Sequence, residues 1–190
     1  MHAEAVVDNP RNDPGARAFA LASPEAAVVV ATALGGPSGG CGHGTGWFLR
    51  RLGVHLLARL TDRPDRGIAD CLSDTIAETA ALHGARCDLA HPRTPTASVV
   101  ACRVVEQDLQ YLVLGPGVVL LHHERGPVCC LTAPDGTVPG TGVGARPSLA
   151  ARATTGSSAR GTLTGVTLST DATRDPRARA VLSFRAVRAG

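Results

Sequence analysis

Five residues in the first half of the chain could hold a metal ion: Cys41, His43, His83, Cys87 and His91. Zinc selects thiolate and imidazole donors of this kind in tetrahedral sets. His83, Cys87 and His91 recur every four residues, which on a helix would gather them on one face, and Cys41-Gly42-His43 would add two more ligands. Pro92, however, argues that 83–91 has already left the helix. Zinc is therefore disfavoured. A Cys41 nucleophile with His43 as its base is a further arrangement, but no oxyanion-binding group can be read beside it. Arg50, Arg51 and Arg93 offer guanidinium forks that suit a phosphate. Arginine supplies all 19 basic side chains of this lysine-free sequence, so solvation of the surface is the preferred role. His122 and His123 end an apolar run, where alternation sends adjacent rings to opposite faces. The glycines of Gly140-Thr141-Gly142-Val143-Gly144 lack a strand before them and a helix after them, so they carry no nucleotide assignment.

Helices and strands must position these groups. Trp47, Phe48, Leu52, Leu56, Leu57 and Leu60 recur at three-to-four spacing and predict a helix over 45–60. Ile68, Cys71, Leu72, Thr75, Ile76, Thr79 and Leu82 predict a second over 66–82. The short link containing Pro64 makes the two antiparallel neighbours. Phe19–Leu21 and Ala26–Ala33 read as strands before the helices, joined through Ser23-Pro24-Glu25. After the helices, strands are expected at 97–105, 109–114, 118–122 and 128–131, as a four-strand meander with turns at Glu106-Gln107-Asp108 and around Gly126-Pro127. Further strands are expected at 163–168 and 181–187. Cys71, Cys102, Cys129 and Cys130 fall inside these elements and read as small buried hydrophobes. Strands, a helix pair and more strands make an α+β fold, with helices on antiparallel sheet.

Composition excludes several classes. A chain of 190 residues with 44% apolar content is long enough for one sizeable core, and with 3% aromatics that core rests on Ala, Val and Leu. No apolar run reaches the roughly 18 residues of a bilayer span. The acidic, Pro-containing N-terminal stretch does not resemble a signal peptide, so a cytoplasmic protein with reduced thiols is expected. The net charge of +3 is concentrated late, with eight arginines after Gly136 against Asp171 and Asp175. Without interleaved aromatics this reads as a solvated basic tail over 176–190, and no nucleic acid is expected. Residues 1–17, rich in Pro, Asn and Asp, are expected to be irregular.

Cys41-Gly42-His43-Gly44-Thr45-Gly46-Trp47, then Cys87-Asp88-Leu89-Ala90-His91-Pro92, then Tyr111-Leu112-Val113-Leu114-Gly115 occur in an order that resembles the PP2C-like (PPM-type) protein phosphatases, in their small actinobacterial variant. The resemblance spans about 10–175 and implies an αββα sandwich, here incomplete at the C-terminus. It also implies loop-bracing roles for Cys41, His43, Cys87, Asp88 and His91. Active relatives hydrolyse phosphoserine and phosphothreonine with two Mg²⁺ or Mn²⁺ ions held by clustered carboxylates, a donor set that such hard cations need.

Those carboxylates are mostly replaced here. Asn12-Asp13-Pro14 keeps one acid of the first element. Val28-Val29-Val30-Ala31-Thr32-Ala33 puts valine where the bridging aspartate is expected, and Gly115-Pro116-Gly117 puts proline at the third point. In Leu168-Ser169-Thr170-Asp171, threonine holds the fourth ligand position and the acid is shifted by one, which reverses its face on a strand. Asp13 and Asp171 are thus the candidate metal ligands, sufficient for weak Mg²⁺ or Mn²⁺ binding at most, and Arg50 and Arg51 are the phosphate candidates. The expectation is a phosphatase-family protein with impaired or absent catalysis that binds a phosphoprotein or another protein. The alternatives are an active Mg²⁺/Mn²⁺-dependent Ser/Thr phosphatase and a small Cys/His metal-binding or structural protein.

Overall fold

A strand buried on both faces has no reason to alternate, and the first sheet shows this pattern. In the computed structural model the described residues are 2–8, 18–32, 39–84, 87–91, 93–133, 150–151, 153–159, 161, 163–170 and 179–185. They form β1 (His2–Asp8), β2 (Ala18–Ala22), β3 (Ala26–Ala31), α1 (Thr45–Asp62), α2 (Ile68–Ala81), β4 (Ser98–Val105), β5 (Asp108–Leu114), β6 (Val118–His123), β7 (Cys129–Thr132), β8 (Thr154–Ala159), β9 (Leu163–Thr170) and β10 (Arg179–Arg185). Two antiparallel five-stranded sheets result, in the orders β2-β3-β4-β5-β8 and β1-β10-β9-β6-β7.

Val28, Val30, Val99, Ala101, Leu112 and Leu114 of the first sheet pack against the helices. Ala27, Val29, Ala31, Val100, Cys102 and Val113, on the opposite face, pack against Val119, Leu121, Val166, Leu168 and Leu182 of the second sheet. Both faces of β3 and β4 are therefore interior, and their sequences run as unbroken apolar stretches. In β6 alternate residues are buried, and in β9 Val166, Leu168 and Thr170 are, with Gly165 beside them. Their outward positions carry Leu120, His122, Thr167 and Ser169, and Thr167 Oγ1 lies 3.2 Å from His122 Nε2 and 3.3 Å from Ser183 Oγ. Among the described residues this outer face is mixed and largely polar, as a solvated sheet face should be.

Two expectations are corrected. The four-strand meander is two hairpins in different sheets, because the chain crosses between layers at Gly115-Pro116-Gly117. Residues 1–17, expected to be irregular, contain β1, which pairs from His2↔Arg185 to Asp8↔Arg179 with β10, the strand expected at 181–187. Each stabilises the other across almost the whole chain length, a partnership that local propensity cannot signal. β8, whose sequence Thr-Thr-Gly-Ser-Ser-Ala has no apolar pattern to predict it, is a strand because it completes the edge beside β5.

The helices sit where their periodicity predicts. Phe48, Leu49, Leu52, Leu56 and Leu60 of α1 and Ile68, Leu72 and Ile76 of α2 are buried in the layer they share with the first sheet. Glu78 joins the helices, 2.7 Å from Arg59 Nη2 and 3.3 Å from His55 Nδ1. The Arg59 hydrogen bond, aided by His55 and outweighing partial burial, holds the Glu78 carboxyl below its ordinary range. A depressed carboxyl stabilises the fold above its unfolded pKa, and that contribution is lost as pH falls through the lower folded value. The pair is largely exposed, so Glu78→Gln is expected to cost no more than about 1 kcal/mol at pH 7 and less at pH 3. Urea unfolding at both pH values checks this.

Candidate functional site

Two places in this fold gather the residues singled out from the sequence. The first is the end of the sandwich where β3, β4, β5, β6 and β9 meet. Ala31 pairs with Ser98, and Thr170 pairs with Ala180. Gly115 has φ +77 and leaves no room for a side chain over Ser98 Oγ, while a Cβ on Gly117 would stand 2.4 Å from Val100 Cγ2. The crossover at Pro116 is thus shaped by its flanking glycines. Thr170 is fully buried, on the face it shares with Val166 and Leu168, and its Oγ1 has no hydrogen-bond partner among the described residues.

Among the described residues this donor set does not fit a pair of Mg²⁺ or Mn²⁺ ions. Such cations need several carboxylate oxygens, and the positions facing the other sheet here are Val29, Ala31 and Thr170. Asp13 and Asp171 lie outside the described residues. Strand register adds one acid that sequence reading missed: Asp8 stands opposite Arg179, one position beyond the Val7–Ala180–Thr170 row. Its signal was the Val6-Val7-Asp8 run, read as irregular chain.

The second place is the junction of the loop before α1 with the segment after α2. Cys41 Sγ, Cys87 Sγ and His43 Nδ1 all lie within 4.8 Å of one another. The separations are 3.9 Å between the two sulfurs, 3.4 Å from Cys87 to His43 and 3.9 Å from Cys41 to His43. The four-residue spacing of His83, Cys87 and His91 does not assemble this cluster. Helix α2 ends at Ala81, and the ligands converge because two loops meet.

That meeting is set by backbone. Gly39 N–H donates to the Arg93 carbonyl at 2.9 Å, and Asp88 N–H donates to the Gly40 carbonyl at 2.6 Å. The 87–94 segment is folded on itself: Asp88 Oδ1 accepts from Ala90 N–H at 2.9 Å, and the buried Thr94 hydroxyl donates to the His91 carbonyl at 2.7 Å. His91 accepts Arg93 N–H on Nδ1 at 3.1 Å and is not one of the three clustered donors. Gly40, at φ +76, has no room for a side chain, since a Cβ would stand 2.5 Å from that of His91.

His43 stacks on Trp47 at 4.2 Å, and His83 meets the Trp47 ring edge-on at 5.0 Å. His83 Nδ1–H donates to the Thr79 carbonyl at 2.8 Å, and its Nε2 is buried without a hydrogen-bond partner among the described residues. Of the phosphate candidates, Arg50 Nε donates back to the Gly46 carbonyl at 3.2 Å, and the Arg51 guanidinium lies 6.0 Å from the Trp47 ring centre.

The remaining cysteines divide in a way the sequence did not predict. Cys71 and Cys102 are buried as expected, but Cys129 and Cys130 are exposed on the edge strand β7, a correction to their reading as core residues. Burial pushes the Cys102 thiol up to about 12, and it raises the Cys71 and Cys41 thiols as well. Thiolate is the reacting species. Alkylation of native protein followed by peptide mapping should therefore modify Cys129 and Cys130 first and leave Cys102 unmodified until denaturant is added.

No protein-family model and no curated protein matches the sequence. The fold is nevertheless shared with solved phosphatases. The Ser/Thr phosphatase Stp1 from Staphylococcus aureus aligns over 99% of this chain and 95% of its own, with TM-score 0.65 and 10% identity. The Mycobacterium tuberculosis Ser/Thr phosphatase PstP aligns over 96% of both chains, with TM-score 0.61 and 12% identity. The PPM Ser-Thr phosphatase MsPP from Mycobacterium smegmatis, solved with cacodylate, gives TM-score 0.59 and 13% identity over 96% of this chain and 97% of its own. The catalytic domain of PstP has also been solved with two manganese ions. This chain has the α+β sandwich fold of PPM-type Ser/Thr phosphatases.

Proposed function

We propose that this chain is a phosphatase-fold protein that has lost two-metal hydrolysis and acts by binding a protein partner, a phosphoprotein being the class its fold suggests. The observation that carries this reading is Thr170, which faces the opposite sheet fully buried at a position where the resemblance implies a carboxylate. Val29 and Ala31, the inward residues at the end of β3, point the same way. A hydroxyl and two aliphatic groups neither neutralise a pair of divalent cations nor orient a water between them. Among the described residues no helix is long and apolar enough to cross a membrane. A cytoplasmic place of work is part of the proposal, supported by six cysteines that are all free thiols.

The test is Mn²⁺-dependent hydrolysis of p-nitrophenyl phosphate and a phosphothreonine peptide by folded protein at millimolar Mn²⁺. The expected rate is that of the protein-free blank. Hydrolysis abolished by Asp13→Ala with Asp171→Ala would overturn the reading and make this an active phosphatase with relocated ligands.

A further inference from the structure

The geometry points to a zinc site: Cys41, His43 and Cys87 bind one zinc ion that pins the loop before α1 to the segment after α2. Two thiolates and an imidazole are the donors zinc prefers, and they are poor ligands for Mg²⁺ or Mn²⁺. Zn–S and Zn–N bonds of about 2.3 and 2.05 Å in a tetrahedron put sulfurs about 3.8 Å apart and sulfur about 3.6 Å from nitrogen. The observed edges are 3.9 Å between sulfurs and 3.4 and 3.9 Å from sulfur to nitrogen. A disulfide would need the sulfurs at about 2.05 Å instead.

The site is built before any ion arrives. Loop 39–44 and segment 87–94 are already joined by the Gly39–Arg93 and Asp88–Gly40 backbone hydrogen bonds. His43 is held by stacking on Trp47. Two thiolates and one neutral imidazole balance a divalent charge, which suits a cluster that is buried at Cys41 and exposed at His43. The exposed side leaves the fourth tetrahedral position to water. Binding releases the two thiol protons, so affinity rises with pH. Neither the ligands nor the test depends on the phosphatase-fold end of the sandwich, and the hydrolysis result cannot decide this proposal.

The experiment is metal analysis of purified protein, followed by chelator treatment and Co²⁺ titration of the same sample. We expect about one zinc per chain, and with Co²⁺ the intense visible bands of a tetrahedral site with a near-ultraviolet thiolate charge-transfer band. Cys41→Ser and Cys87→Ser should each remove about half of that charge-transfer band and weaken zinc binding at least about tenfold, as losing one ligand should. The Cys129→Ser/Cys130→Ser variant should bind like the parent. Wild-type protein that gives no tetrahedral Co²⁺ spectrum overturns the proposal, and this reading does not require any variant to fold. Loss of the bands in Cys129→Ser/Cys130→Ser, with retention in Cys41→Ser, overturns it equally. So does a Cys41–Cys87 disulfide mapped by mass spectrometry in freshly purified protein.

Discussion

Arg103→Ala is expected to destabilise the protein by about 3 kcal/mol, the sum of a cavity and a lost set of charge-assisted hydrogen bonds. Arg103 is 1% exposed and heads the largest fully buried side chains. It sits on β4 and reaches under the turn between the helices. Its Nε donates to Gln110 Oε1 at 2.9 Å, its Nη1 to the Arg63 carbonyl at 2.9 Å, and its Nη2 to the Arg66 carbonyl. Among the described residues these acceptors are all neutral, so the guanidinium is a clamp rather than half of an ion pair. The Arg63 carbonyl belongs to the C-cap of α1, where the helix dipole favours a cation.

Against these gains stands the cost of burying a charge. Arg103→Met separates the two contributions, since it keeps the packed stem and removes the fork. Its expected cost is about 1–2 kcal/mol, because the exposed side of the turn lets water reach part of what the fork satisfied. Chemical denaturation of both variants is the measurement. A methionine variant as stable as the parent would show that Arg103 matters only as volume.

Leu168→Ala is expected to cost a similar amount, about 3 kcal/mol within the 2–5 range of buried leucine truncations. Leu168 has no exposed surface and lies in β9 between Val119 and Leu182, facing the first sheet. Leu168→Ile, which conserves volume and suits a strand, should cost less than about 1.5 kcal/mol. If the alanine variant unfolds at the same denaturant concentration as the parent, the two sheets do not form the tight interior described above. Either alanine change would remove a large share of the 5–15 kcal/mol by which domains of this kind are stable.

How much of this was legible in the sequence varies by element. Both helices were, because Phe48, Leu52, Leu56 and Leu60, then Ile68, Leu72 and Ile76, repeat at the period that one helix face requires. Strands β2 to β6 were as well, from β-branched runs bounded by turn residues. Strands β1, β8 and β10 were missed or only partly read, since their partners lie far away in sequence or at an edge where composition is free to be polar.

The sequence by itself determined the layers and the chemistry on offer: which faces are apolar, that two cysteines and a histidine precede and follow the helix pair, and that most implied carboxylates are replaced. Tertiary structure alone decided how these were deployed. It split the expected meander between two sheets at Gly115–Gly117, put Cys129 and Cys130 in solvent, and gave a lone arginine in an apolar strand three carbonyl-type partners. It also drew Cys41, His43 and Cys87 together, although no helical spacing relates them. The physical reason is the same in each case. Periodicity reports which face of one element is buried, whereas a site depends on where two separate backbones are held against each other, here by hydrogen bonds between Gly39, Gly40, Asp88 and Arg93.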